Sequence, residues 1–512
     1  MDIQETVLAK PGWGITFRRP TATAGGLALI AMPVPEKLIV SLHQNAGVAA
    51  EALVKPGDRV LKGEPVGAVP AGGLGARVHA PSSGRVTAIE PHAVPGNDSA
   101  LCVHIQCDGE DLSWPGYSPH HAPLNMPIEQ LHAAIIDAGI VGLGGAQFPT
   151  SEKLKPDTSI KTLVLNGVEC EPRINCDDAL MRYRASEILF GAQIMMRILA
   201  ADDCVIALKS DTLMAIEQLR IALEELGDKR IRLALVPPVY PAGGEAQLLQ
   251  LLTRQEVPTG GLPKDIGTVC QNVGTAAAVG RFLTSGEPLI SRIVTVTGSG
   301  VRNPVNIEAR IGTPLCKLIE FAGGYACDET ELVMGGPMMG VGLSNDNLPV
   351  TKACNCLYVR ALHKNRPPPV EMPCIRCTDC ATVCPVALTP QIMLQAQRTD
   401  DFEKLEQLGL SDCIECGCCD YVCPSSIPLT QNFVKAKQAM QVIAFENQRA
   451  IQAEARFSAR SERLQIKTAL RRRELDAQIE NLDNSETATG DSKEALQQLL
   501  NRVDKPGKDG TP

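Results

Sequence analysis

The apolar residues of this chain change their period several times, and each change marks a candidate domain. Residues 52–57 (ALVKPG), 60–66 and 78–89 are short Val- and Ala-containing runs broken by Pro-Gly and Gly-Glu-Pro turns, which predicts a β-rich first domain. From about Pro127 the period lengthens. Ile128, Leu131, Ile135 and Ala138 recur at helical spacing with Pro127 near the first turn. A short strand at 162–165 ends at Asn166, and a helix follows over 179–199. Next come a strand at 204–208, a helix at 213–226, a strand at 231–236 and a helix at 245–252. This rhythm predicts a Rossmann-like open sheet with ligands at the carboxyl ends of its strands. Residues 293–311 return to period-two alternation around a Gly-rich turn, so a small β-containing domain follows. A cysteine-rich segment runs from about Met372 to Ser426, with helices predicted at 390–397 and 402–408. From Leu429 the pattern is helical at first and polar later. Arg471, Arg472 and Arg473 and the closing NRVDKPGKDGTP read as a solvated helix and a disordered end.

No run reaches the 18 or more apolar residues of a spanning helix. The nearest, 188–200, is interrupted by Gln193 and Arg197. The opening MDIQETVLAKPGWG lacks the basic-then-apolar pattern of a secretory signal, which predicts a cytoplasmic chain with at most peripheral membrane association. At 512 residues the chain is too long for one core. Its formal charge of −9 speaks against nucleic acid, because neutralising phosphates needs a basic face.

Cysteine changes the picture most. Eleven of the 19 fall between Cys354 and Cys423, a density that suits ligand use better than disulfides in a chain without a secretory signal. Cys374, Cys377, Cys380 and Cys384-Pro385 form a C-x₂-C-x₂-C-x₃-C-P run. Cys413, Cys416, Cys419 and Cys423-Pro424 repeat it 39 residues later. Zinc sites use two pairs separated by a longer loop, whereas three closely spaced thiolates suit one face of a cubane cluster. In two-cluster ferredoxins, which this spacing resembles, the fourth cysteine serves the other cluster. The expected sets are Cys374, Cys377 and Cys380 with Cys423, and Cys413, Cys416 and Cys419 with Cys384, each holding a [4Fe–4S] centre. Cys418 is off the spacing. Cys354 and Cys356 form a C-x-C that reads as structural, with a third metal site as the alternative.

A second constellation is rich in glycine. GLGGAQFPTSEK at 142–153 offers close backbone approach to a phosphate, and Lys153 offers a charge. NGVECEP at 166–172 stands at the end of a predicted strand. YPAGGE at 240–245 and NVGT at 272–275 each open a helix.

These four segments, in this order, resemble the flavin- and NADH-binding subunit of respiratory complex I. The string VKPGDRVLKGEPVG followed by VHAPSSGRVTAIE resembles the lipoyl/biotinyl-carrier hammerhead. No lysine stands in the corresponding AVPAGGLGARVHA, so this domain reads as a structural or docking module. The segment at 293–311 resembles a soluble-ligand-binding β-grasp module. The whole layout over residues 1–440 resembles the RnfC (RsxC) component of the Rnf (Rsx) electron-transport complex. The resemblance implies a multidomain α/β chain with five parts. They are a barrel-sandwich (lipoyl-like) domain at 1–125, a Rossmann-like FMN/NADH domain at 126–288, a β-grasp (SLBB-like) domain at 289–350, a helical two-cluster ferredoxin domain at 351–440, and a helical-to-disordered tail at 441–512.

It further implies FMN on Gly142, Gly144, Gly145 and Lys153, with Asn166, Glu169 and Glu171 beneath it and Asn272 and Thr275 on its phosphate side. Phe148 corresponds to an aromatic that stacks on NAD(H), and Gly244 and Glu245 flank the nicotinamide. Leu143 stands where the complex I subunit has arginine, and Val168 where it has an acid. The implied role is a peripheral, cytoplasmic-face subunit that exchanges electrons between NAD(H) and partner subunits of an ion-translocating inner-membrane complex. A flavin suits it, because it accepts two electrons and releases them singly. Two alternatives are a cluster relay without NADH activity, and a soluble diaphorase subunit with no membrane partner.

Overall fold

The structure is a computed structural model that describes residues 5–17, 27–155, 159–362, 370–483 and 490–503. It divides into two compact units, residues 1–433 and 434–512.

The first unit is organised around a five-stranded, all-parallel sheet. Its order is Glu5–Val7, Ile231–Val236, Asp203–Lys209, Thr162–Gly167 and Thr268–Asn272. The strands are nearly continuous apolar runs, as a sheet covered on both faces requires. The predicted helix at 179–199 is in fact two, Cys176–Tyr183 and Ala185–Leu199, broken at Arg184, whose φ of −141° leaves the helical region. Helices Ala185–Leu199 and Val273–Ser285 cross closely: a Cβ on Gly191 would lie 1.9 Å from the Ala276 carbonyl oxygen, and one on Gly280 would lie 2.3 Å from that of Glu187. Only glycine permits that approach. The strand at Thr162–Gly167 runs two residues past the predicted end, so Asn166 lies within it.

The barrel-sandwich region pairs a four-stranded sheet (Lys37–Ser41, Asn97–Cys107, Gly84–Val94, Arg59–Val60) with a three-stranded one (Glu51–Ala52, Pro65–Ala68, Val78–His79) around Leu38, Val40, Val66, Val86 and Ile105. The strand predictions here need correction. Pro-Gly and Gly-Glu-Pro turns leave only short strands of two to four residues around 52–57 and 60–66, and the Pro81-Ser82-Ser83 corner divides 78–89.

The β-grasp region is a six-stranded sheet ordered Val341–Leu343, Thr330–Met334, Cys356–Ala361, Ser291–Thr297, Val305–Arg310, Leu29–Ala31. Two of the expected boundaries are crossed. Glu5–Val7 and Leu29–Ala31, expected in the first domain, complete the parallel sheet and the β-grasp sheet instead. Cys356–Ala361, expected with the cluster segment, runs as an inner strand of the β-grasp sheet. Each pairs its backbone with a strand distant in sequence, which local periodicity does not report.

Buried Lys352 fastens three regions. Its ammonium donates to the carbonyl oxygens of Arg77 and Gly139, each at 2.7 Å, and burial lowers its pKa to about 7. The cysteine-rich segment forms short helices at Asp379–Thr382, Pro390–Arg398, Phe402–Gln407 and Cys418–Val422. A 55-residue helix, Leu429–Asp483, starts in the first unit. The second unit holds the rest of that helix and Gly490–Val503; its surface is mostly exposed, with Leu475 and Leu500 buried. Of the end expected to be disordered, 501–512, residues 501–503 instead complete helix Gly490–Val503, and the rest lies outside the described residues. Among the described residues no helix is long and apolar enough to cross a membrane.

Candidate functional site

The carboxyl ends of Thr162–Gly167, Ile231–Val236 and Thr268–Asn272 bring three of the four predicted segments together, as an open parallel sheet does. Asn166 spans two of them. Its amide donates to the Gly243 carbonyl at 2.8 Å, and its Oδ1 accepts from the Val168 N–H at 2.9 Å. A Cβ at Gly243 would lie 2.0 Å from the Val168 carbonyl oxygen, so glycine alone allows this approach. Asn272 caps helix Val273–Ser285 by accepting from Gly274 N–H at 2.7 Å, and its amide donates to Asp177 Oδ2 at 2.7 Å.

The glycine loop lies over this floor. Gly142 N–H donates to the Phe148 carbonyl at 2.8 Å and closes the loop, while Gly144 and Gly145 are exposed, with open space around Gly145. Thr275 sits wholly buried beneath, its hydroxyl accepting from Leu143 N–H at 3.0 Å. It holds the loop in place from below. The barrel-sandwich region reaches the same loop: Ala46 N–H donates to the Gln147 carbonyl, next to Phe148, at 2.9 Å. Lys153 is not left open to a phosphate, because its ammonium pairs with Glu245 at 2.8 Å and with the Cys270 carbonyl at 3.3 Å. Gly244 is the N-cap residue of helix Glu245–Thr253.

Glu169 and Glu171 diverge although they are two residues apart. Glu169 Oε1 accepts from Asp177 N–H and from the Cys176 thiol, each at 3.1 Å, whereas its Oε2 is sealed from solvent with no partner. Burial and the facing carboxylate of Asp177 push its pKa up to about 7, and burial raises Asp177 as well. Glu171 instead reaches the β-grasp region, accepting from the N–H groups of Met338 at 2.6 Å and Met339 at 3.1 Å. Burial raises its pKa and those two donors oppose the rise. The partners Asp177, Cys176 and Met338 escaped sequence reasoning. Asp177 carries a signal after the fact, since it opens the helix that follows the NGVECEP turn.

The eight predicted ligand cysteines line two separate pockets. Cys374, Cys377, Cys380 and Cys423 line one, with Leu394, Ile427 and Leu429 beside them. Cys384, Cys413, Cys416 and Cys419 line the other, with Met393, Thr430 and Phe433, and Cys418 beside them. Each motif's fourth cysteine therefore stands with the other motif's first three. Helix Pro390–Arg398 runs between the pockets, offering Gln391 and Leu394 to one and Pro390 and Met393 to the other. Among the described residues, the ligand atoms that gather within 4.8 Å of one another in groups of three belong to Glu169, Cys176 and Asp177. The thiol pockets are thus wider than a tetrahedral single-ion cage and suit a cubane. Cys354 and Cys356 are fully buried beside the β-grasp core, and burial raises both thiols.

The second pocket adjoins the floor of the glycine-rich site. Tyr240, Cys416 and Cys418 form one apolar cluster with Ile15, Phe17, Cys170, Met338, Val383 and Ile414. The Tyr240 hydroxyl donates to the Cys416 carbonyl at 2.6 Å, and Gly14 N–H donates to that of Val383 at 3.0 Å. In the first pocket, by contrast, Cys374 and Cys377 are exposed.

Family models match in the order of these regions. They are described as the RnfC barrel sandwich hybrid domain (residues 13–110), the Nuo51 FMN-binding domain (135–281), the SLBB domain (293–342) and a 4Fe-4S dicluster domain (370–424). The protein is thus of the flavin-domain and dicluster class. Its sequence is 42% identical over 494 residues to the C component of the ion-translocating oxidoreductase complex from Cronobacter sakazakii, covering 95% of this chain and 62% of that protein. The namesake from Pseudomonas aeruginosa is 42% identical over 465 residues, covering 89% of this chain and 59% of its own. The chain is similar to these RnfC components over most of its own length, and it spans about three fifths of the length of these relatives. A crystal structure of an NAD+-reducing [NiFe]-hydrogenase aligns over 63% of each chain with 20% identity and a TM-score of 0.45.

The residues present fit the implied groups. Four thiols per pocket, spaced beyond the reach of a single ion, suit two cubane clusters. The open glycine loop and the orphaned buried Glu169 Oε2, an acceptor in want of an N–H or O–H donor, suit a flavin nucleotide.

Proposed function

We propose that this chain is a peripheral electron-transfer subunit of a membrane-bound, ion-translocating complex, handling NAD(H) and FMN on its glycine-rich face. It passes electrons to partner subunits on the cytoplasmic side of the inner membrane. The observation that carries this reading is the junction at Tyr240, where the floor of the glycine-rich face meets the pocket of Cys384, Cys413, Cys416 and Cys419 within one apolar cluster. Gly142, Gly144, Gly145, Asn166, Glu169, Glu171, Asn272 and Thr275 would hold or support FMN, with Phe148, Gly244 and Glu245 toward NAD(H). The flavin supplies the exchange between paired and single electrons. The chain's own residues orient, exclude water and set local charge. The Tyr240-side thiols form the inner set, and Cys374, Cys377, Cys380 and Cys423 the outer set, where exposed Cys374 and Cys377 give a partner access.

Anaerobically purified protein should carry about eight irons per chain, matching sulfide, and one FMN, and should reduce ferricyanide with NADH. Irons without flavin, even after FMN is added, would instead support a cluster relay. Leu143 in place of arginine and the engagement of Lys153 by Glu245 favour that second reading. Co-sedimentation with inner-membrane vesicles, released by high salt, separates both from a soluble diaphorase subunit.

A further inference from the structure

Tyr240 is 2% exposed and stands between the glycine-rich floor and the inner cysteine pocket. Its backbone is clamped on both sides by Ile15: Tyr240 N–H donates to the Ile15 carbonyl and Ile15 N–H to the Tyr240 carbonyl, each at 2.8 Å. Its ring packs against Phe17, with centroids 5.9 Å apart. The side chain is therefore held, and its hydroxyl has one proton to give. The acceptor at that hydroxyl is the Cys416 carbonyl oxygen at 2.6 Å. A second acceptor, the Glu171 carboxylate, is anchored beside the same cluster: it accepts from the N–H groups of Met338, which packs with Tyr240, and Met339. The anchor is tight, since a Cβ on Gly336 would lie 1.9 Å from Glu171 Cγ.

Cluster potentials respond to hydrogen bonding and exposure around their ligands. A hydroxyl donating to the peptide carbonyl of a ligand cysteine withdraws electron density from that ligand and favours the reduced cluster. We propose that Tyr240 is a positioning residue whose hydroxyl raises the potential of the inner cluster and links it to Glu171, because the two acceptors compete for one proton. This rests on the reading that Cys384, Cys413, Cys416 and Cys419 hold a cluster.

The test is a redox titration of the full chain followed by electron paramagnetic resonance, on wild type, Tyr240→Phe, Glu171→Gln and the double variant. The two cluster signals are assigned with Cys377→Ser, which removes the outer one. Iron and sulfide are counted first: a wild type without clusters would defeat the functional reading rather than this one. In Tyr240→Phe the inner midpoint should move to lower potential while the outer stays. In Glu171→Gln the inner midpoint should rise, since a neutral amide competes less for the hydroxyl, and that rise should vanish in the double variant. An inner midpoint unmoved by Tyr240→Phe, or both midpoints moving alike, overturns the proposal. If Tyr240→Phe loses the inner cluster, Glu171→Gln decides alone, because it leaves the ring in place; no inner shift there overturns it.

Discussion

The two thiol pockets are built on one local plan and set in opposite surroundings. Positive φ recurs at matching places 39 residues apart: Arg376 and Glu415, Thr378 and Gly417, Ala387 and Ser426. A short helix follows at the same offset, Asp379–Thr382 and Cys418–Val422. At Thr378 the chain accepts a left-handed conformation that costs a side-chain-bearing residue about 1 kcal/mol, where Gly417 adopts it freely. Yet Cys416 and Cys418 are sealed against Tyr240, while Cys374 and Cys377 face solvent. Spacing decides which thiols meet, and the surrounding domains decide which pocket faces inward.

If that contrast governs the molecule, equivalent cysteine substitutions should be unequal. Cys416→Ser and Cys377→Ser should each lower iron from about eight to about four per chain. Cys416→Ser should also lose roughly 3 kcal/mol more stability, seen as a lower Tm by calorimetry, because it opens a buried junction. Equal Tm losses would erase the distinction between inner and outer pockets.

The inner side should also carry a pH signature that the outer lacks. The carboxyl of Glu169 is raised to about 7 from 4.5, so between those values the folded chain holds a proton that the unfolded chain has released. Stability is therefore lost as pH rises through that window, by up to about 3 kcal/mol. Glu169→Gln should flatten the fall of Tm between pH 5 and pH 8 and make the protein more stable at pH 8. An unchanged pH profile would place the carboxyl in contact with water.

Smaller effects should follow the same division. Gly336→Ala forces a methyl into the Glu171 side chain and should cost about 1–3 kcal/mol, weakening the inner side alone. Arg398→Ala removes a half-exposed pair with Glu371 at 2.6 Å beside the outer segment, and chemical unfolding should shift by no more than about 0.5 kcal/mol. A larger loss there would show the outer surface to be more tightly built than its exposure indicates.

Much of this architecture is legible in the amino-acid order where the controlling physics is local. Helix Leu213–Leu226 and strand Ile231–Val236 fall where apolar periodicity places them, because each buries its own repeating face. The break at Arg184 is not visible, since both flanking helices share one continuous apolar pattern. In the first domain, turn residues cut the strands shorter than alternation suggested. At the candidate site the glycines, Asn166, Glu169 and Glu171 announce themselves through composition at strand ends. Met338 meets Glu171 across 167 residues, Tyr240 meets Cys416 across 176 and Asp177 meets Asn272 across 95, and contacts of that span leave no mark in a short window.

The sequence by itself determined the sulfur chemistry, the parallel-sheet rhythm and the glycine-lined strand ends, because ligand spacing, side-chain period and turn stereochemistry act over a few residues. Only the tertiary structure decided that Glu5–Val7 and Leu29–Ala31 complete distant sheets and that Lys352 fastens three regions. It also decided that Tyr240 ties the glycine-rich floor to one cysteine pocket and not the other. Those outcomes depend on which strand edges and buried polar groups find partners across the fold, and that pairing is set when the domains close on one another.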